Sequence, residues 1–153
     1  MFKDMKEQWD EVCRDFGKPI IVNAKDHSYS HRKRAFWVNW ATPPDLFEDL
    51  PSLDPNECLD KGRNFDLKKG MRTMTASWRG DPEDPEQYTS VPIRIVDKRL
   101  DGYQRIKSHE AERLHHLPHG CTAAPGVSEA DRVSAIGDGW DLLITKRIWE
   151  YNL

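Results

Sequence analysis

The chain has 153 residues, 37% hydrophobic and 32% charged, with 23 lysines and arginines against 26 aspartates and glutamates for a formal charge of −3. That is the length of one domain or a piece of a larger one, and with six tryptophans to bury it is not the make-up of a disordered chain. The charge argues against nonspecific nucleic-acid binding by the whole surface, no apolar run is long enough to span a membrane, and the start MFKDMKEQWDE is too charged for a signal peptide.

Residues 2–16 place Phe2, Met5, Trp9, Val12, Cys13 and Phe16 at steps of three and four, which predicts an amphipathic helix stopped at Gly17. KPIIVNA follows as a short buried strand, so that helix, loop and strand make half of a βαβ unit. After KDHSYS, the β-favouring KRAFWVNW is long enough to pair with it. Seven prolines punctuate the stretch from Ala41 to about Arg105, which reads as a loop-rich insertion with one short helical candidate, NECLDKG. Ser108 is a plausible N-cap for HEAERLHHL, halted by Pro118. Ser128 with Asp131 three residues on opens EADRVSAI, Gly137 ends it, and WDLLITKRIWEY starts a last helix.

Charge is unevenly spread. Lys61, Arg63, Lys68, Lys69, Arg72 and Arg79 face only Asp66 between positions 61 and 80, and DPEDPEQ follows with four acids. Such segregation suggests one positive face, or else two solvated loops of opposite sign. Cys13, Cys58 and Cys121 are odd in number and far apart, which points to a reduced, intracellular chain. His109, His115, His116, His119 and Cys121 cluster, but no paired C-x-x-C accompanies them and Pro118 interrupts the run, so no metal is expected. No P-loop, G-x-S-x-G or strand-borne G-x-G-x-x-G occurs, and IGDGW alone is a weak signal.

Four stretches in order carry a more specific likeness. SHRKRAFWVNW has an Arg-x-Arg followed by aromatics, and NECLDKGRNFDLKKGMRTMTAS has Glu-Cys-Leu, Gly-Arg and a later Arg-Thr-x-Thr. SHEAERLHHLPHGCT runs a Glu-and-Arg helix into a proline turn, and RVSAIGDGWDLLITKRIW has a Gly-x-Gly-Trp turn between two helices. Together, from about residue 19 to 150, they resemble motif VIII, the target-recognition region, motif IX and motif X of DNA cytosine methyltransferases that modify carbon 5, nearest to the vertebrate de novo type.

The resemblance implies an α/β fold: the C-terminal portion of a Rossmann-like S-adenosylmethionine-dependent methyltransferase with a loop-rich target-recognition insertion. It divides the chain into the end of the sheet (1–40), the recognition region (41–107) and a helical return (108–153). Arg32 and Arg34 match the pair in the family's catalytic pocket, Arg34 being favoured as the donor to O2 of a flipped cytosine, with Phe36 and Trp37 as core. Gly137, Asp138, Gly139 and Trp140 match the turn that approaches S-adenosylmethionine, although Asp138 departs from the usual Asn or Arg. Glu112 and Arg113 match residues that buttress the recognition region, while Lys68, Lys69, Arg72, Thr73, Thr75 and Arg79 become candidates for contacts to double-stranded DNA.

The family's Phe-x-Gly-x-Gly, Pro-Cys and Glu-Asn-Val motifs do not occur in these residues: the cysteines follow Val12, Glu57 and Gly120, and no Glu-Asn pair exists. The resemblance therefore implies half an active site, completed by a chain or segment carrying those motifs, with that partner or a homo-oligomer covering an open sheet edge. Expected localisation is the nucleus in a eukaryote, or the cytoplasm or nucleoid in a prokaryote or virus. The competing expectation is an inactive homologue that binds DNA or a methyltransferase as an accessory.

Overall fold

A computed structural model describes residues 2–66, 74, 94–100 and 103–151. The chain opens with helix α1 (Phe2–Phe16), then strand β1 (Ile20–Asn23), a 3₁₀ turn (Ala24–Asp26) and strand β2 (Lys33–Phe36). A second 3₁₀ turn (Pro55–Cys58) leads to three short strands, β3 (Arg63–Phe65), β4 (Ile95–Asp97) and β5 (Tyr103–Gln104). Helices α2 (Ser108–Leu114), α3 (Glu129–Asp138) and α4 (Leu142–Glu150) close it. The result is a mixed α/β architecture with two small sheets, β1-β2 and β3-β4-β5, both antiparallel. No parallel neighbour completes the expected βαβ unit among the described residues.

The β1-β2 hairpin pairs Ile20 with Phe36 and Val22 with Arg34. Period-two alternation sends Ile20, Val22 and Phe36 to one face, where they pack with Ala24, Leu46, Ile144 and Ile148 into one of two cores. The opposite face is open, with Ile21 54% exposed, so β1 is half-buried rather than the buried strand its composition predicts. Helix α1 forms as the periodicity predicts and stops at Gly17, whose φ of +80° suits glycine. Its apolar stripe stays largely outside: Trp9, Val12 and Phe16 are exposed, and Trp9 rests on Trp37 at 5.4 Å.

The second core draws on described residues of the loop-rich stretch 41–107. Cys58, Leu59, Phe65, Ile95 and Ile106 from that stretch bury against Ala111, Leu114, Val133 and Ile136 of α2 and α3. Three strands of two or three residues carry too little periodicity to announce themselves in sequence. The NECLDKG candidate is the 3₁₀ turn, begun by Pro55 and capped by Asp54, which accepts from the Asn56 N–H at 2.9 Å.

Helix ends also shift. Ser108 is the first residue of α2 rather than its cap, because its hydroxyl is taken by Glu129 at 2.8 Å, while the Glu110 carboxylate accepts the Lys107 N–H at 2.9 Å. The helix stops at Leu114, before Pro118, with His116 at a φ of +56°. Ser128 caps α3 as predicted, but the helix runs through Gly137 to Asp138, with Gly139 as its C-cap. Asp141 caps α4.

The turn after α2 is held by a buried carboxylate. Glu112 accepts from the Gly120 N–H (2.7 Å), from the Thr122 N–H and hydroxyl, and from Arg132 on α3 (3.0 Å). Burial alone would raise its pKa, yet these donors bring it down to about 2 from an ordinary 4.5. A depressed carboxylate stabilises the fold fully above its unfolded pKa, and that contribution is lost as pH falls toward the folded value. The predicted consequence is a loss on the order of 3 kcal/mol between about pH 5 and pH 2. Glu112→Gln should be less stable than wild type at pH 7 and show a shallower acid limb when thermal midpoints are read by circular dichroism across that range. An unchanged acid limb would refute the assignment.

Candidate functional site

The loop between β1 and β2 is stitched to the α3–α4 junction by side chains more than a hundred residues apart. Asp141 serves α4 as N-cap, accepting from the Ile144 N–H at 3.3 Å, and also accepts from the Ser30 hydroxyl at 2.6 Å and the Ser28 hydroxyl at 2.5 Å. All three side chains are buried. Ser28 and Ser30 lie in the bends between the 3₁₀ turn and β2, and both hydroxyls reach the same Asp141 carboxylate oxygen.

Arg32, immediately before β2, is 4% exposed. Its Nη1 donates to the Met74 carbonyl and its Nη2 to the Gly137 carbonyl, both at 3.0 Å. Its Nε is buried with no partner, and no carboxylate pairs with it among the described residues. Burial lowers its pKa, as does the nearby Arg34 charge, while Asp138 and Asp141 act in the opposite sense. Backbone carbonyls stand in for the missing carboxylate, so this guanidinium works as a buried cross-tie.

Arg34 lies two residues on, within β2 and opposite Val22. It is half-buried, and its guanidinium donates to the Lys33 carbonyl at 2.8 Å. Among the described residues no carboxylate engages it, which leaves most of its donors for a ligand. The two arginines thus differ: the Arg32 guanidinium is spent on the fold, while Arg34 makes one exposed hydrogen bond.

The Gly137–Trp140 stretch sits beside them. Gly137 is inside the last turn of α3, buried, with its carbonyl on Arg32. Gly139 has a φ of −70°, so its need is space: a Cβ there would meet the Ile136 carbonyl oxygen at 3.2 Å. Asp138 is exposed, and the Trp140 indole is 55% exposed, set edge-on against Phe36 at 5.6 Å. Phe36 is partly buried against the first core, beside Val22, Ile144 and Ile148, and Trp37 donates to the Gly17 carbonyl at 3.1 Å. His115, behind the junction, is pushed down to about 4 by burial and is neutral, with Nδ1 at 3.3 Å from the Ala111 carbonyl.

Structure therefore brings Arg32, Arg34 and Gly137 to Trp140 into one neighbourhood. Lys68, Lys69, Arg72, Thr73, Thr75 and Arg79 lie outside the described residues. Arg113 donates to the Cys58 carbonyl (2.7 Å) and to Asp60 (2.8 Å), tying α2 to the start of residues 55–65. Ser28, Ser30 and Asp141 are the members that sequence reasoning did not single out. Asp141 carried one local signal, a capping residue before LLIT.

From the histidine run, His109 meets Asp60 and Glu110, with potential ligand atoms all within 4.8 Å of one another. Cations already occupy those carboxylates. Lys107 and Arg113 each reach Asp60 at 2.8 Å, and Arg63 forks onto Glu110 at 2.8 and 3.0 Å. Burial would raise the Asp60 pKa, but bonds from Lys107, Arg113 and His109 hold it well below the carboxylate range. Three cations thus face these two carboxylates, which leaves no negative charge over for a metal. No family model matches the chain. Among the described residues, no helix is long and apolar enough to cross a membrane.

The two arginines give opposite expectations. Arg32→Ala should cost about 3 kcal/mol, since it removes two charged hydrogen bonds and leaves two buried carbonyls unpaired. Arg34→Ala should change stability by less than about 1 kcal/mol, because the half-buried side chain gives up a single exposed hydrogen bond. Urea midpoints of the two variants check this, and equal effects would contradict the division of labour.

Proposed function

We propose that this chain is the DNA-recognition and cofactor-closing part of a DNA cytosine-5 methyltransferase, the C-terminal portion of a Rossmann-like fold with its target-recognition insertion. The observation that carries the reading is the reach of Arg32. One guanidinium ties the Arg-x-Arg segment to Met74 in the segment resembling the recognition region and to Gly137 in the segment resembling motif X. Three of the four stretches that carry the likeness thus meet at a single buried side chain, the arrangement a shared site needs.

In this reading Arg34 supplies the electrostatics. Attack of a thiolate on carbon 6 of cytosine pushes electron density into the ring, and a fixed donor at O2 stabilises it without reorganisation. Arg34 is held on a strand by Arg32 and the Asp141 clasp, and its guanidinium has donors to spare. The nucleophilic cysteine and the glutamate come from a separate chain or segment. The resemblance assigns S-adenosylmethionine to the α3–α4 turn, where Trp140 offers an exposed indole. When bound, it supplies the electrophilic methyl group. Double-stranded DNA is the partner, with the target base turned out of the helix.

The absence of Pro-Cys and Glu-Asn-Val from these 153 residues favours a second reading, an inactive homologue that binds DNA or a methyltransferase as an accessory. Arg34→Lys separates the two, because lysine keeps the charge and loses the planar fork. Paired with a chain that supplies the cysteine and glutamate, the variant should lose methyl transfer by about a hundredfold or more, with duplex affinity within about twofold of wild type. Methylation at the wild-type rate would refute the catalytic placement.

A further inference from the structure

We infer that the aromatic cleft between β2 and α4 is a binding site for an unpaired nucleotide, the base stacked on indoles and the phosphate toward Arg34. The cleft encloses about 480 Å³, the size of a small-ligand site. Its walls are the rings of Phe36, Trp37, Trp40, Trp140 and Trp149. Trp140 and Trp149 stand 55% and 57% exposed, apolar area that a planar ligand would remove from water. Neither is loose: Trp140 leans on Phe36 at 5.6 Å, and Trp149 on Trp40 at 5.7 Å.

The polar groups select the ligand class. No charged residue lines the cleft, so a small ion would find no counter-charge there. Asn39 on its wall carries an amide able to pair with a base edge, and the buried Trp40 Nε1–H has no acceptor among the described residues. The hairpin register then sets Arg34 on the same face as Phe36, two residues along, with no carboxylate engaging it among the described residues. Stacking faces beside a free guanidinium match a heterocycle that carries a phosphate. The base must be unpaired, because the faces of a paired base are covered by its neighbours.

The inference draws on Arg34 and Trp140, which the reading above gives to the flipped base and to S-adenosylmethionine, so the nucleotide is an alternative occupant of those groups, and its binding requires no methyl transfer. Quenching of indole fluorescence measures it directly, with a thymidylate strand of about ten nucleotides, a duplex of the same length, thymidine monophosphate and thymidine as probes. The single strand should quench saturably and bind about tenfold more tightly than the duplex, and the monophosphate more tightly than the nucleoside. Trp140→Ala with Trp149→Ala should weaken the single strand about tenfold or more, and Asn39→Ala should weaken it with both indoles in place. Equal or tighter binding of the duplex, unaffected by these substitutions, would overturn the inference even if a reconstituted pair methylates DNA. Quenching by thymidine as strong as by the monophosphate would overturn the role given to Arg34.

Discussion

Burying a guanidinium without a carboxylate is costly, and the chain does so at Arg32, where two backbone carbonyls and a neighbouring buried aspartate offset the cost. The rest of the arrangement depends on that choice. Met74 and Gly137 must present their carbonyls to one point, which fixes the end of α3 against the strand that carries Arg34. Asp141 reinforces the joint by capping α4 and gripping Ser28 and Ser30 at once. A single buried polar joint therefore positions both the free arginine and the Gly139–Trp140 turn. Partly satisfied polar networks are expensive, and they specify one geometry because the alternatives leave more groups unpaired.

Away from this joint three carboxylates, two buried and one half-buried, tie the short elements around the apolar cores. Glu110 receives the Arg63 fork and caps α2, Glu112 gathers the turn that follows, and Asp60 collects Lys107, His109 and Arg113. These groups sit between short strands and short helices that could not bury enough hydrocarbon on their own. Electrostatic ties of this kind make the chain acid-sensitive. The apolar surface it does possess is partly displayed, on the outer stripe of α1 and on Trp140 and Trp149. Exposed aromatic area on that scale marks surfaces that meet something else.

How much of this was legible in the sequence follows from contact range. Helices α1, α3 and α4 were readable because their signals are local: apolar steps of three and four, and capping residues at Ser128 and before Leu142. The β1–β2 hairpin followed from composition. Strands β3 to β5 were missed because two or three residues cannot show a period, and prolines nearby masked them. The structural role of Arg32 was not legible, since its burial depends on Met74 and Gly137, 42 and 105 positions away. Ser28, Ser30 and Asp141 were invisible as a group for the same reason.

The central claim, half of a two-part active site, is tested most directly by identifying, through mass spectrometry, the polypeptide bound to or continuous with this chain in its native source. The account predicts a polypeptide carrying a Pro-Cys loop and a Glu-Asn-Val segment, which would place a nucleophile opposite Arg34. Recovery of the chain alone and intact, with no such polypeptide attached, would contradict the catalytic reading and leave a nucleic-acid-binding accessory.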